Sequence, residues 1–174
     1  SLGSKKYRIR PNKVRRIYQN KVNLNLILII DCSTSMTKEG KLEKGKFAAI
    51  GFLRRMKKLE SINCKILVYR LSSENRGFIE EKWSSIDTQL ESLIESLQIG
   101  GRTPLFSSLK EAIEKAKSMD QNDKNMIVCL TDGKSEGEEI KFEDIAKDVE
   151  ESDIPVISIG FGEQDYSDMM KISN

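Results

Sequence analysis

The segment Leu24–Ile30 is an almost unbroken apolar run that stops abruptly at Asp31. It is too short for a buried helix, and its apolar residues stand at consecutive positions instead of alternating with polar ones. That pattern predicts a strand covered on both faces, as in the interior of a parallel sheet. Such a strand requires helices above and below it, and the rest of the chain must supply them.

The remaining segments fit this demand. A helix-patterned stretch from about Leu42 to Leu59 leads to a second buried run, Cys64–Leu71, and Arg76–Trp83 is expected to return beside it as a short antiparallel edge strand. Ile86, Leu90, Leu93, Ile94 and Leu97 fall on one face of a helix, which Gly100-Gly101 is expected to end. Leu105, Leu109, Ala112, Ile113, Ala116 and Met119 repeat the pattern, with Thr103 placed as N-cap and Pro104 as the first helical residue. Asn125–Leu130 is a third buried run, Phe142, Ile145, Ala146 and Val149 mark another helix, and Ile154–Phe161 gives a last strand. The expected fold class is therefore α/β: three layers, doubly wound, with a mostly parallel central sheet, helices on both faces and one short antiparallel edge strand.

The length of 174 residues suits one domain. Ser1–Ser4 read as a cloning remnant, residues 5–22 as a basic lead-in or linker, and residues 23–174 as the domain. Lys5 to Lys21 holds eight basic residues and no acidic one, although the whole chain carries a formal charge of only +2. No aromatic stacking platform accompanies these charges, so a solvated segment is expected and nucleic acid is not. Three cysteines, Cys32, Cys64 and Cys129, are an odd number, and two of them lie in strand-like runs. Buried free thiols are expected, not a disulfide framework. No apolar stretch reaches the length of a membrane span, and no cleavable secretory signal opens the chain.

Open α/β sheets bind ligands beyond the carboxyl ends of their strands. Three groups fall there or at a helix start: Asp31-Cys32-Ser33-Thr34-Ser35, the loop Gly100 to Pro104 with Thr103, and Asp132 after the third buried run. Asp31, Ser33, Ser35, Thr103 and Asp132 offer hard oxygen donors, the set suited to Mg²⁺ or Mn²⁺. The chain has no histidine, and Cys32 is offset by one residue from its neighbours in the set, so the usual zinc ligands are missing.

Each motif alone is weak evidence, since Thr103 would serve as a helix cap and Asp132-Gly133 as a turn. In order, they carry a resemblance. Asp31-Cys32-Ser33-Thr34-Ser35 resembles the D-x-S-x-S loop of von Willebrand factor A-type domains and integrin I domains, Gly100-Gly101-Arg102-Thr103-Pro104-Leu105 the family's threonine loop, and Leu130-Thr131-Asp132-Gly133 its strand-ending aspartate motif. The resemblance covers Leu24 to about Phe161. It implies that Ser33, Ser35 and Thr103 contact a divalent ion largely directly, that Asp31 and Asp132 often hold it through water, and that one coordination position accepts an Asp or Glu carboxylate of a partner protein. The family's extra strand and closing helix would follow Tyr166–Ile172, yet the sequence stops at Asn174. Truncation is one reading, and cover of the open edge by Lys5–Val22 is the other.

The expected function is a metal-dependent protein-binding module, for adhesion or assembly, and not an enzyme. A phosphatase or phosphotransfer site is the alternative, but such sites want a second acidic residue near Asp31 where Ser33 stands. No nucleophile has a base beside it, and a structural role for Cys32 outweighs a reactive one. A second alternative keeps the fold and makes the chain an intracellular subunit of an ATPase or stress-response assembly. The localisation is left open; free cysteines and the missing signal tilt it slightly toward the cytoplasm.

Overall fold

The computed structural model describes residues 21–80, 83–120, 122–133, 135–162, 169–170 and 173. β1 (Val22–Asp31) is the middle strand of a six-stranded sheet whose neighbours run β3-β2-β1-β5-β6, where β2 is Ile62–Leu71, β3 Gly77–Phe78, β5 Lys124–Thr131 and β6 Val156–Gly160. β1 pairs in parallel with β2 and with β5, and β5 pairs in parallel with β6. The sheet is thus mostly parallel.

The unbroken apolar run has a direct structural cause. Successive side chains of a strand point to opposite faces, and here each face has its own core. Ile27 and Ile29, with Leu67, Tyr69, Ile127 and Cys129, pack against α3 (Leu105–Lys117) and α4 (Phe142–Ser152). Leu26, Leu28 and Ile30, with Ile66, Val68 and Val128, pack against α1 (Lys41–Lys57) and α2 (Thr88–Glu95). All five residues from Leu26 to Ile30 are 0% exposed, so neither face of β1 meets water. The expected three-layer α/β architecture is the one observed.

Three local expectations need correction. The edge predicted over Arg76–Trp83 is reduced to β3, and a second short strand, β4 (Ser84–Ser85), also pairs antiparallel with β2. Asn75, with φ of 56°, makes the turn into β3. The two serines of β4 carry no apolar alternation, and their pairing is a main-chain property the sequence does not display. α2 ends at Glu95, well before Gly100-Gly101, and starts on a true cap, Asp87 Oδ1 accepting from Gln89 and Leu90 amides at 3.0 Å each. The glycine pair serves the next loop instead: Gly100 N donates to the Cys32 carbonyl at 2.8 Å.

The third correction concerns the start of α3. Thr103 is not its N-cap, and Pro104 is not its first turn: the helix begins at Leu105, with Pro104 in the cap position and no side-chain bond from it. The amides of Phe106 and Ser107 are taken by Glu138, at 2.8 Å and 2.7 Å, across 32 and 31 residues of chain. Of the basic Lys5–Val22 segment, only Lys21 and Val22 fall among the described residues, and of the Tyr166–Ile172 helix only Met169 and Met170. Among the described residues no helix is long and apolar enough to cross a membrane. Cys32 and Cys129 are buried, Cys64 is half-buried, and all three are free thiols.

Candidate functional site

β1 and β5 are adjacent and end level with one another, Ile30 opposite Leu130. Their next residues, Asp31 and the pair Thr131-Asp132, therefore reach the same edge of the sheet. Asp31 is 0% exposed and Asp132 3%. Around them runs one continuous chain of hydrogen bonds. The Thr131 hydroxyl donates to Asp31 Oδ2 at 2.6 Å, and the Ser33 amide donates to Asp31 Oδ1 at 2.8 Å. Ser33 Oγ and Ser35 Oγ are 2.9 Å apart, and Ser35 Oγ donates to Asp132 Oδ1 at 2.7 Å. Lys41 closes the chain, its ammonium donating to Asp132 Oδ2 at 2.8 Å.

Four of the five residues singled out in the sequence, Asp31, Ser33, Ser35 and Asp132, thus meet in one network. The fifth, Thr103, is 4% exposed and held next to it by backbone. Thr34 donates to the Gly101 carbonyl through both its amide and its hydroxyl, each at 2.9 Å, and the Glu136 amide donates to the Thr103 carbonyl at 2.7 Å. The loops after β1, before α3 and after β5 are therefore stitched together, although the Thr103 hydroxyl takes no part in the serine–aspartate chain among the described residues. Gly101 is required where it stands. Its φ is +71°, and a Cβ there would press on Ser73 Oγ and lie 2.9 Å from the Glu74 amide nitrogen.

Electrostatics follow from this enclosure. Burial pushes the Asp31 carboxyl above the usual carboxylate range; hydrogen bonds from Ser33 and Thr131 pull it back, and the nearby Asp132 charge adds to the upward push. Cys32 turns into the core beside Met36 and Leu42, with Sγ 3.5 Å from the Ile30 carbonyl, and burial pushes its thiol up to about 12. It remains a neutral thiol, and it faces the core and not the hydroxyl-bearing side, as its one-residue offset implied. Among the described residues no group of three His, Cys, Asp or Glu side chains converges, so any cation here would meet two carboxylates and several hydroxyls.

Sequence reasoning missed three participants. Thr131 lies inside the aspartate motif and orients Asp31, a role its position two residues before a turn glycine does not reveal. Lys41 follows a 3-10 segment, Thr34–Gly40, in which Glu39 and Gly40 adopt φ of 56° and 65°. These two left-handed residues place the first residue of α1 beside the site, and only a Gly-Lys junction at a helix start hints at it. Glu138, capping α3 from the loop after β5, carries no sequence signal beyond its charge.

The von Willebrand factor type A domain profile matches residues 25–174. No curated protein sequence matches the chain. A solved von Willebrand factor type A protein from Catenulispora acidiphila superposes with a TM-score of 0.66 at 21% identity, over 88% of this chain and 36% of that one. Proximal thread matrix protein 1 from the mussel byssus superposes with a TM-score of 0.71 at 18% identity, over 88% of this chain and 42% of that one. A further structure of that mussel protein, with zinc in its MIDAS motif, gives 0.66 at 16% identity, over 89% and 40%. The chain thus spans less than half the length of these structures, and the likeness to them is one of fold. The profile match extends over nearly the whole sheet-and-helix body and includes all three loops that meet at Asp31, and on that ground the chain belongs to the von Willebrand factor type A domain family.

Proposed function

We propose that this domain binds another protein through a divalent cation, Mg²⁺ or Mn²⁺, held by the Ser33, Ser35 and Thr103 hydroxyls with the Asp31 and Asp132 carboxylates. Von Willebrand factor type A domains are protein-interaction modules, and the mussel domain carries zinc at its MIDAS motif. The observation that supports the reading most strongly is the hydrogen-bonded chain Asp31–Ser33–Ser35–Asp132, which gathers two buried carboxylates and two hydroxyls at the carboxyl edge of the sheet.

The donor set fits such an ion. Every group is a hard oxygen, and hydroxyl protons turn easily to leave a lone pair toward a cation. Burial holds the Asp31 carboxyl above the usual carboxylate range, and a dication beside it would favour the ionised form. Soft ions fit poorly, because the chain lacks histidine and Cys32 faces the core. When bound, the ion supplies a Lewis-acidic position for the Asp or Glu side chain of a partner. Neutral hydroxyls cancel little of its charge, so the site stays attractive to an anion. Thr131 and the Ser33 amide fix the orientation of Asp31, a supporting role of the kind that tunes ligand geometry.

Calorimetric titration of Mg²⁺ and Mn²⁺ into the folded chain at millimolar metal, followed by partner capture with and without chelator, tests the reading. Metal binding that Asp31→Ala abolishes, and capture that chelator removes and added metal restores, are the expected results. A chain that binds neither ion, or a partner whose capture survives both chelator and Asp31→Ala, overturns it.

A further inference from the structure

We infer that Lys41 is a built-in counter-cation of this centre, weakening its hold on a bare divalent ion and leaving the loaded site one charge more receptive to a partner's carboxylate. The inference rests on the metal-site reading above and assigns a role to a residue outside the ligand set.

Lys41 stands where a lysine is costly twice over. Its side chain is only 8% exposed, and lysine is among the residues least often buried. It is also the first residue of α1, the end of a helix whose dipole repels cations. Asp132, itself 4% exposed, receives the ammonium at 2.8 Å. The surroundings leave room for it: Gly162, at φ of +100°, faces Lys41 so closely that a Cβ there would lie 3.0 Å from both Cε and Nζ. A side chain placed against two unfavourable terms and given a glycine-lined seat beside a proposed ligand is acting on that ligand.

Its action follows from charge. Lys41 makes the surroundings of Asp31 and Asp132 one unit more positive than they would be without it, whether the site is empty, holds an ion, or holds an ion and a carboxylate. In a poorly solvated site that unit repels a dication and attracts a carboxylate. Lys41 therefore disfavours the ion alone and favours the ion together with a partner's carboxylate. It also competes directly, since an ion approaching Asp132 meets an ammonium already seated on Oδ2 while Oδ1 is engaged by Ser35.

The test is Mn²⁺ titration of the full chain, followed by calorimetry or by the loss of the free-ion paramagnetic resonance signal. Wild type is compared with Lys41→Gln, whose amide can still donate to Asp132, with Lys41→Met, and with Lys41→Arg, each checked for folding by circular dichroism. The two neutral variants should bind Mn²⁺ at least about tenfold more tightly than wild type, and Lys41→Arg within about twofold of it. Lys41→Gln keeps the test decisive if Lys41→Met, which leaves Asp132 without that donor, fails to fold. Folded neutral variants that bind Mn²⁺ no more tightly than wild type overturn the role of Lys41 and leave the metal site standing. Absence of binding in wild type and neutral variants alike, or binding that persists in Asp31→Ala, overturns the metal site and this inference with it.

Discussion

Glu138 caps α3 from a distant loop, and removing it is the sharpest test of how the site's loops are held. Its Oε1 accepts from the Phe106 amide at 2.8 Å, and its Oε2 accepts from the Ser107 amide at 2.7 Å and the Ser107 hydroxyl at 2.6 Å. With Pro104 in the cap position, Phe106 and Ser107 are the second and third helical residues, the two whose amides an N-cap side chain normally satisfies. Loss of a cap costs about 0.5–2 kcal/mol, and loss of a negative charge at a helix N-terminus about 0.3–1 kcal/mol more. Glu138→Ala should therefore destabilise the chain by about 2 kcal/mol, a fall in melting temperature of about 4–8 °C for a domain of this size. Glu138→Gln, which keeps an acceptor oxygen and loses the charge, should fall about half as far. Thr103→Ala should cost less than Glu138→Ala, because its hydroxyl is not the cap. Thermal unfolding followed by circular dichroism in chelator isolates these effects from any metal. A Glu138→Ala melt within about 1 °C of wild type, beside a Thr103→Ala melt lowered by several degrees, would refute the assignment of the cap.

Two further outcomes follow from burial. Leu28 is 0% exposed at the centre of the face packed by α1 and α2, so Leu28→Ala should cost about 2–5 kcal/mol in urea unfolding, and a loss below about 1 kcal/mol would contradict that packing. Burial raises the thiols from an ordinary 9.0 to about 12 for Cys32 and about 11 for Cys64, and raises Cys129 further. The unfolded chain then ionises first as pH rises: the stability these thiols confer is complete below pH 9.0 and is lost as pH climbs from there toward the folded-state values, by roughly 1 kcal/mol per pH unit for each of the two buried thiols, Cys32 and Cys129, and by less for the half-buried Cys64. Stability measured in denaturant at pH 8, 9 and 10 checks this; a flat profile, or no flattening when the three cysteines are replaced by alanine, rules it out.

Legibility in the sequence tracks locality. The run Leu24–Ile30 announces a strand buried on both faces because the cause is a property of the residues themselves, and the two separate cores bear this out. Asp31, Ser33 and Ser35 sit within one turn of chain, and Asp132 ends a strand that the same apolar logic identifies, so their meeting needs only the parallel pairing of β1 with β5. Lys41 is different. Lys38, Lys41, Lys44 and Lys46 crowd one stretch and carry the same charge. Lys41 is distinguished by the left-handed Glu39 and Gly40, and Lys46, also buried, instead turns to Glu43 and the Glu95 carbonyl. No periodicity separates them. Glu138 is hidden for a related reason, since it stands among Glu136 and Glu139 in a stretch that reads as a solvated acidic loop.

The misread helix start also bears on the site itself. A threonine that capped its own helix would direct its hydroxyl oxygen at an amide two or three residues ahead, and that oxygen would then be committed. In this chain Glu138 takes over the amides of Phe106 and Ser107, so Thr103 is released from capping while its carbonyl, receiving the Leu105 and Glu136 amides at 2.8 Å and 2.7 Å, still holds the residue in place. The same acidic loop thus does two things at once: Glu136 fixes the Thr103 backbone, and Glu138 leaves the Thr103 side chain without a structural task. A threonine that is held by its carbonyl and spared from capping is what a cation site needs from this loop. The N-cap reading and the metal reading of Thr103 therefore compete for one oxygen, and the Glu138 contacts set the first aside.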